Sequence, residues 1–335
     1  MIEQEYPWHT DPLRRELADA DRMPHALLLL GTPGIGKTRY LNALAAALLC
    51  ESPAADRRAC GRCDACGWVA AGAHPDLRVL TYPVDQDGKV GKEIKVEQVR
   101  ALSDFLVVSG HRGGRRVVLI DPADAMNAVT ANTLLKTLEE PGDGLVFVLA
   151  SSRPDAIPAT IRSRCQVRVL EGPGMEVASA WVQGETGCTP HDAGSWLAMA
   201  GGAPLHATQF AEPGRAAAHR AMLEAIASLP ETAPEVAADV LHRVDARQWL
   251  PVMQRWLMDI GRCGTGAEPR YFPALGARLA ELAKRTDPAA LAEAGRGLAA
   301  QYRFVEHPLN ARLFCEASIE CYLGAFGAPA PATGR

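Results

Sequence analysis

The sequence has no excess of basic charge: 35 Lys and Arg stand against 39 Asp and Glu, a formal net charge of −4. A chain that holds nucleic acid by itself carries a clear basic surplus, so any DNA contact is expected to be local or shared with partners. Long hydrophobic runs are missing as well. The longest uninterrupted apolar stretches, such as Ala43 to Cys50, fall far short of the ~18 residues that read as a membrane span. The opening Met-Ile-Glu-Gln-Glu-Tyr-Pro-Trp-His-Thr has no basic stretch leading into an apolar one. No secretory signal is expected, and a cytoplasmic location is. Nine cysteines, an odd number, speak against a disulfide framework.

What is present fits a soluble globular protein, with 48% hydrophobic and 22% charged residues. At about 150 residues per domain, 335 residues imply two or three domains. The first half alternates strands and helices. Ala26–Leu30, Leu77–Tyr82, Val117–Ile120, Val146–Ala150 and Val167–Leu170 read as strands. Between them Arg39–Leu49, Val96–Val108 and Val129–Glu140 read as helices, the second with Val99, Leu102, Phe105 and Leu106 on one face. That alternation predicts a parallel sheet flanked by helices, an α/β fold. After Glu171-Gly172-Pro173-Gly174 the strand signals stop, and short helices are expected as far as Phe210, with Thr189 as an N-cap. Ala211-Glu212-Pro213-Gly214 reads as a linker, and everything from Arg215 reads helical. Leu313, Phe314, Ala317 and Cys321 fall on one face of the last helix. The expected domains are residues 1–170, with an inserted cysteine module at 50–66, a small helical domain at 171–210 and an all-α domain at 211–330. Residues 331–335 are expected to be a flexible tail.

Two motifs carry chemistry. Gly31-Thr32-Pro33-Gly34-Ile35-Gly36-Lys37-Thr38 fits G-x-x-x-x-G-K-[ST] without a mismatch, between a predicted strand and a predicted helix. Its glycines let backbone N–H groups turn toward phosphate oxygens, and the helix N-terminus adds positive potential. Lys37 would reach the β/γ-phosphates and Thr38 would ligate Mg²⁺. Asp121, directly after the apolar run Val117-Val118-Leu119-Ile120, supplies the carboxylate that such a magnesium ion needs. The second motif is Cys50-x9-Cys60-x2-Cys63-x2-Cys66. Four thiolates at this spacing suit a closed, structural tetrahedral Zn²⁺ site. The Cys-x2-Cys-x2-Cys run also occurs in iron–sulfur proteins, although their later Cys-Pro is absent, so both metals stay open. Lys92, Lys95, Arg112, Arg115 and Arg116 form a locally basic stretch, read first as solvated surface and alternatively as a face toward DNA or a partner.

Together these features resemble the AAA+ clamp-loader family of bacterial DNA polymerase III, over almost the whole chain. Ala131-Asn132-Thr133-Leu134-Leu135-Lys136-Thr137-Leu138-Glu139-Glu140-Pro141 and Ser163-Arg164-Cys165 are similar to family signatures, as is a cysteine cluster soon after the P-loop helix. The resemblance implies a P-loop AAA+ domain, a helical lid and a helical collar that oligomerises. It implies that Arg164 reaches into a neighbouring subunit's ATP site as an arginine finger. The implied nucleotide-binding set is Gly31 through Thr38, Asp121 and Ser151, for ATP or ADP with Mg²⁺; Ser152 is equally placed to sense the γ-phosphate.

The chain departs from the family's motors in two places. Their general-base glutamate after the aspartate is here Pro122, which has no acid–base group, and Asp124 would have a different geometry. The lid stretch Gly201-Gly202-Ala203-Pro204-Leu205-His206 lacks the motors' arginine. The resemblance thus implies a stator-like subunit with little or no ATPase activity of its own, an active gamma/tau-type motor being the alternative. Implied partners are the gamma/tau and delta subunits, the sliding clamp (beta), and primed DNA through the complex.

Overall fold

The computed structural model describes residues 5–85, 87–107, 114–305, 307 and 310–327. The chain divides into two compact units, Met1–Pro173 and Gly174–Arg335.

The first unit is built on a five-stranded sheet: β1 (Ala26–Leu30), β2 (Leu77–Leu80), β3 (Arg116–Ile120), β4 (Leu145–Ser151) and β5 (Gln166–Val169). Every pairing is parallel, and the order is β2-β3-β4-β1-β5. The three inner strands are runs of Leu, Val, Ile and Phe because both of their faces are covered. The edge strands β2 and β5 alternate with charge and expose Val79 and Val169.

Among the described residues, these α-helices accompany the sheet: α1 (Thr10–Ala18), α2 (Lys37–Leu49), α3 (Asp64–Ala70), α4 (Val96–Arg100), α5 (Ser103–Val107), α6 (Ala128–Glu139) and α7 (Ala159–Arg162). One face of the sheet (Leu27, Leu29, Leu119, Val148) packs on Leu13 and Leu17 of α1 and Tyr40, Leu41 and Leu44 of α2. The other face (Leu28, Ile120, Phe147, Leu149) packs on Val99 of α4, Leu134 and Leu138 of α6 and Ile161 of α7.

Two readings need correction here. The helix expected over Val96–Val108 is two short helices interrupted at Ala101-Leu102, where the Leu102 N–H turns back to the Val99 carbonyl in an i→i−3 bond; Val108 lies outside the described residues. The basic stretch is not a uniform solvated face. Arg116 is buried, donating to the Phe105 and Asp143 carbonyls, and Arg115 donates to the Ala20 carbonyl. Lys92 and Lys95 are exposed, and Arg112 lies outside the described residues.

The second unit is helical: α8 (Met175–Thr186), α9 (Pro190–Met199), α10 (Pro204–Ala207), α11 (Arg215–Ala227), α12 (Pro234–Leu241), α13 (Ala246–Gly264), α14 (Gly276–Ala283), α15 (Pro288–Gln301) and α16 (Ala311–Leu323). Thr189 caps α9 by accepting the Asp192 N–H at 3.1 Å. A small core (Val182, Ala193, Leu197, Ala207) joins α8 to α10. A larger one (Ile226, Leu241, Trp249, Trp256, Leu282, Leu298, Ile319, Tyr322) joins α11 to α16. Trp196 and Phe210 lie against both.

The fully buried residues of α16 are Cys315, Ser318, Ile319 and Tyr322; of the expected apolar face, Phe314 and Cys321 are half-buried against the same core, while Leu313 and Ala317 are exposed. Leu313 is 65% exposed. The burial of Ser318 is compensated, since its hydroxyl meets Gln301 Oε1 at 2.6 Å and the Phe314 carbonyl at 2.8 Å. Residues 331–335, expected as a tail, lie outside the described residues.

Candidate nucleotide and metal sites

The carboxyl ends of β1, β3 and β4 bring three loops together, the usual crevice for ligands in parallel sheets. Leu30 of β1 pairs with Ser151 of β4, which sets Gly31 beside Ser152. The loop Gly31–Gly36 then turns into α2 at Lys37. Gly31 is required by close approach, since a Cβ there would sit 2.7 Å from the Leu170 carbonyl oxygen. Gly36 is required twice over: its φ is +88°, and a Cβ would lie 2.3 Å from the Tyr6 ring.

That ring belongs to an aromatic strap that the motif reading missed. Trp8 donates its indole N–H to the Ile35 carbonyl at 2.9 Å, Tyr6 stacks on Trp8 with centroids 4.9 Å apart, and the Arg39 guanidinium lies 4.4 Å from the Tyr6 centroid. His9 is fully buried behind them, edge-on to Tyr40. Its burial pushes the imidazole pKa down to about 4, against the opposing pull of Glu5 and with help from Lys37. The Tyr6-Pro7-Trp8-His9 run lies well upstream of the P-loop in the sequence, so nothing local marked the strap.

The Lys37 ammonium is matched by three acceptors: the Gly31 and Thr32 carbonyls at 3.0 Å each, and Ser152 Oγ at 2.6 Å. Burial lowers its pKa, while Asp121 and Asp124 pull the other way. Thr38 donates its hydroxyl to Asp121 Oδ2 at 2.5 Å. Burial raises the Asp121 pKa, against the Thr38 hydrogen bond and the Lys37 charge. The two serines at the end of β4 part company. Ser152 meets Lys37, whereas Ser151 is buried and donates to Asp124 Oδ1 at 2.6 Å.

Asp124 also accepts from Arg153 Nε at 2.7 Å, and these bonds and the Arg153 charge outweigh burial and lower its pKa. A carboxylate held by a serine and an arginine, with its proton affinity reduced, is poorly suited to taking a proton from water. The position directly after Asp121 is Pro122, which offers no base at all. The arrangement can cradle phosphate and a divalent cation; among the described residues, its two carboxylates, Asp121 and Asp124, are both already engaged by neighbouring side chains.

Arg164 stands apart from this cluster, between α7 and β5. It donates through Nε to Glu139 Oε1 at 2.8 Å, pairs with the same oxygen through Nη2, and donates through Nη1 to the Thr160 carbonyl at 2.8 Å. Cys165 beside it packs on the sheet core, and burial pushes its thiol up to about 11, as suits a core cysteine.

Cys50, Cys60, Cys63 and Cys66 converge. Cys50 ends α2, Cys63 caps α3 and Cys66 lies in its first turn. All four Sγ atoms lie within 4.8 Å of one another, with separations of 3.9 Å (Cys50–Cys63), 3.9 Å (Cys60–Cys66) and 3.7 Å (Cys50–Cys66). A tetrahedral ion with bonds of about 2.3 Å places its sulfurs about 3.8 Å apart. The Cys60 N–H points at Cys50 Sγ at 3.3 Å and the Cys66 N–H at Cys63 Sγ at 3.5 Å, which suits thiolate acceptors. The donor set fits a four-sulfur metal site.

Fold and site together define a P-loop α/β protein with a four-cysteine module after the P-loop helix and a helical C-terminal unit. A family model described as "DNA polymerase III, delta subunit" matches residues 10–173. The DNA polymerase III subunit delta' of Pseudomonas aeruginosa is 38% identical over 259 residues, covering 76% of this chain and 75% of that protein. The Escherichia coli subunit delta' is 30% identical over 289 residues, covering 85% of each. The Escherichia coli subunit tau is 38% identical over 144 residues, 43% of this chain and 21% of tau. The chain belongs to the DNA polymerase III delta-prime subunit family.

No helix among the described residues is long and apolar enough to cross a membrane.

Proposed function

We propose that this chain is the stator-like delta-prime subunit of a clamp loader, in a hetero-oligomeric ring with gamma/tau and delta subunits that places the sliding clamp (beta) on primed DNA. Residues 1–170 serve as the nucleotide-binding domain, 171–210 as the lid and 211–330 as the collar segment. The reading is supported by family membership and by one observation above the others. The position after Asp121 is Pro122, and the nearby carboxylate, Asp124, is engaged by Ser151 and Arg153. The chain therefore binds nucleotide without turning it over appreciably.

In binding, the backbone of Gly31–Gly36 faces the phosphates and Lys37 exchanges one of its present acceptors for a phosphate oxygen. Thr38 and Asp121 hold the magnesium ion, which when bound offsets phosphate charge. Ser152 stays on Lys37, and Ser151 holds Asp124 in place. Cys50, Cys60, Cys63 and Cys66 would hold a zinc ion in a structural role, fastening the end of α2 to α3. Arg164 serves a neighbour: a guanidinium supplied in trans stabilises charge on a transferring γ-phosphate, so hydrolysis depends on assembly.

A gamma/tau-type motor is the second reading, favoured by the complete P-loop and the Thr38–Asp121 pairing. The two separate on the purified chain, through nucleotide affinity and turnover measured side by side. Saturable ATP binding with turnover no faster than a Lys37→Ala control supports the stator. Turnover that Lys37→Ala abolishes establishes the motor.

A further inference from the structure

Glu139 is the last residue of α6, 25 positions before Arg164 in the chain. Its Oε1 accepts from both Nε and Nη2 of Arg164, a side-on grip on one edge of the guanidinium. On the other side Nη1 donates to the Thr160 carbonyl at 2.8 Å, and Ser163 Oγ lies within 3.4 Å. A guanidinium has five N–H donors in a fixed plane. Two are taken by Glu139 and one by Thr160, with Ser163 a weak fourth. Among the described residues, no acceptor meets the last Nη2–H. The two grips hold the plane of the guanidinium from both sides, and the Arg164 side chain as a whole is 29% exposed.

We propose that Glu139 is a positioning residue for Arg164, setting the orientation in which the guanidinium meets a phosphate on the adjacent subunit. This rests on the reading of Arg164 as a finger in trans. The alternative for such a contact is a latch that keeps the arginine away from its target. The Glu139 side chain is 49% exposed, and an ion pair this open to water is held too weakly to withhold an arginine from a desolvated, multiply charged phosphate. Orientation is a different matter. A weak contact is enough to bias a long side chain toward one rotamer before the neighbour docks, and misplacement of a reacting group by about 1 Å costs up to about a hundredfold in rate.

The test is DNA- and clamp-stimulated ATP hydrolysis by the assembled loader, with this chain as wild type, Arg164→Ala, Glu139→Ala or Glu139→Gln. Assembly and thermal melting are checked for each. Arg164→Ala sets the floor. Glu139→Ala is expected to lower kcat by about tenfold with KM unchanged. Glu139→Gln, whose amide oxygen still accepts the Nε–H, should recover most of that loss. If Arg164→Ala lowers kcat and Glu139→Ala matches wild type, the positioning role is overturned while the finger stands. A rise in kcat for Glu139→Ala makes the contact a latch and also overturns it. If Arg164→Ala itself has no effect, both the finger and its positioning residue fall.

Discussion

The hydroxyl of Thr38 donates to Asp121 Oδ2 at 2.5 Å, tying the first turn of α2 to the end of β3. These are the two groups that a nucleotide-bound magnesium ion would share, already brought together by the fold. Lys37, one residue earlier, is held at the same crevice by Ser152.

The first prediction concerns that crevice. Hydrogen bonds to a charged group contribute about 1.5–3 kcal/mol. Lys37→Ala should therefore weaken ATP binding by about ten- to hundredfold. Asp121→Asn keeps an oxygen for Thr38 but removes the charge, so the gain in affinity on adding Mg²⁺ should vanish while binding without Mg²⁺ holds. Titration with a fluorescent nucleotide in both conditions reads the two effects separately.

The cysteine cluster predicts one zinc per chain and a colourless protein. Visible absorbance with iron would mean a cluster of the other kind. Strong chelation should lower the melting temperature by about 5 °C or more, since a metal at these four sulfurs would fasten α2 to α3. The sheet cores lie outside the cluster, so the domain should stay folded, as far-UV circular dichroism would report. Cys60→Ser should reproduce the loss without chelator.

Asp259, in α13, is fully buried and accepts the backbone N–H groups of Arg270, Tyr271 and Phe272 at 2.8, 2.7 and 2.9 Å. Asp259→Ala leaves three donors unmatched, at roughly 1–3 kcal/mol for each stranded group. The expected loss is about 3–5 kcal/mol, allowing for partial rehydration. Denaturant unfolding of the variant beside wild type measures it.

Two buried histidines make stability depend on pH. His9 and His219 both have pKa values lowered to about 4, chiefly by burial, with Arg255 adding to the effect at His219. Each binds a proton more readily unfolded, near its ordinary value of about 6.5. Stability is therefore complete above pH 6.5 and declines as pH falls toward 4. The upper bound is about 3 kcal/mol per histidine. The melting temperature should drop from pH 7 to pH 5, and His219→Phe should flatten that drop; an equally steep drop would contradict the assignment.

Much of the fold was legible because inner parallel strands are continuous apolar runs, and β1, β3 and β4 are such runs. Asp121 stood out because it ends one of them. The cysteines stood out by spacing alone. What stayed hidden depended on contacts between distant segments. The choice between Ser151 and Ser152 turns on how the chain leaves β4, which no periodicity encodes. Arg116 reads as surface charge in a string of basic residues, yet it lies inside because the Phe105 and Asp143 carbonyls receive it. The α16 face was only half legible: Phe314 and Cys321 do reach the core, but Ser318 looks polar until its partner, Gln301, is known. Nor could the Tyr6–Trp8 strap or the Glu139–Arg164 pair be read locally, since each joins separate elements.

The most direct test of the central claim is ATP hydrolysis by the reconstituted loader, stimulated by DNA and clamp, with Arg164→Ala or Lys37→Ala placed in this chain alone. A stator that lends its arginine predicts a strong loss with Arg164→Ala and a rate close to wild type with Lys37→Ala. If Lys37→Ala removes a share of the turnover instead, this chain is itself a motor and Pro122 has not silenced its site.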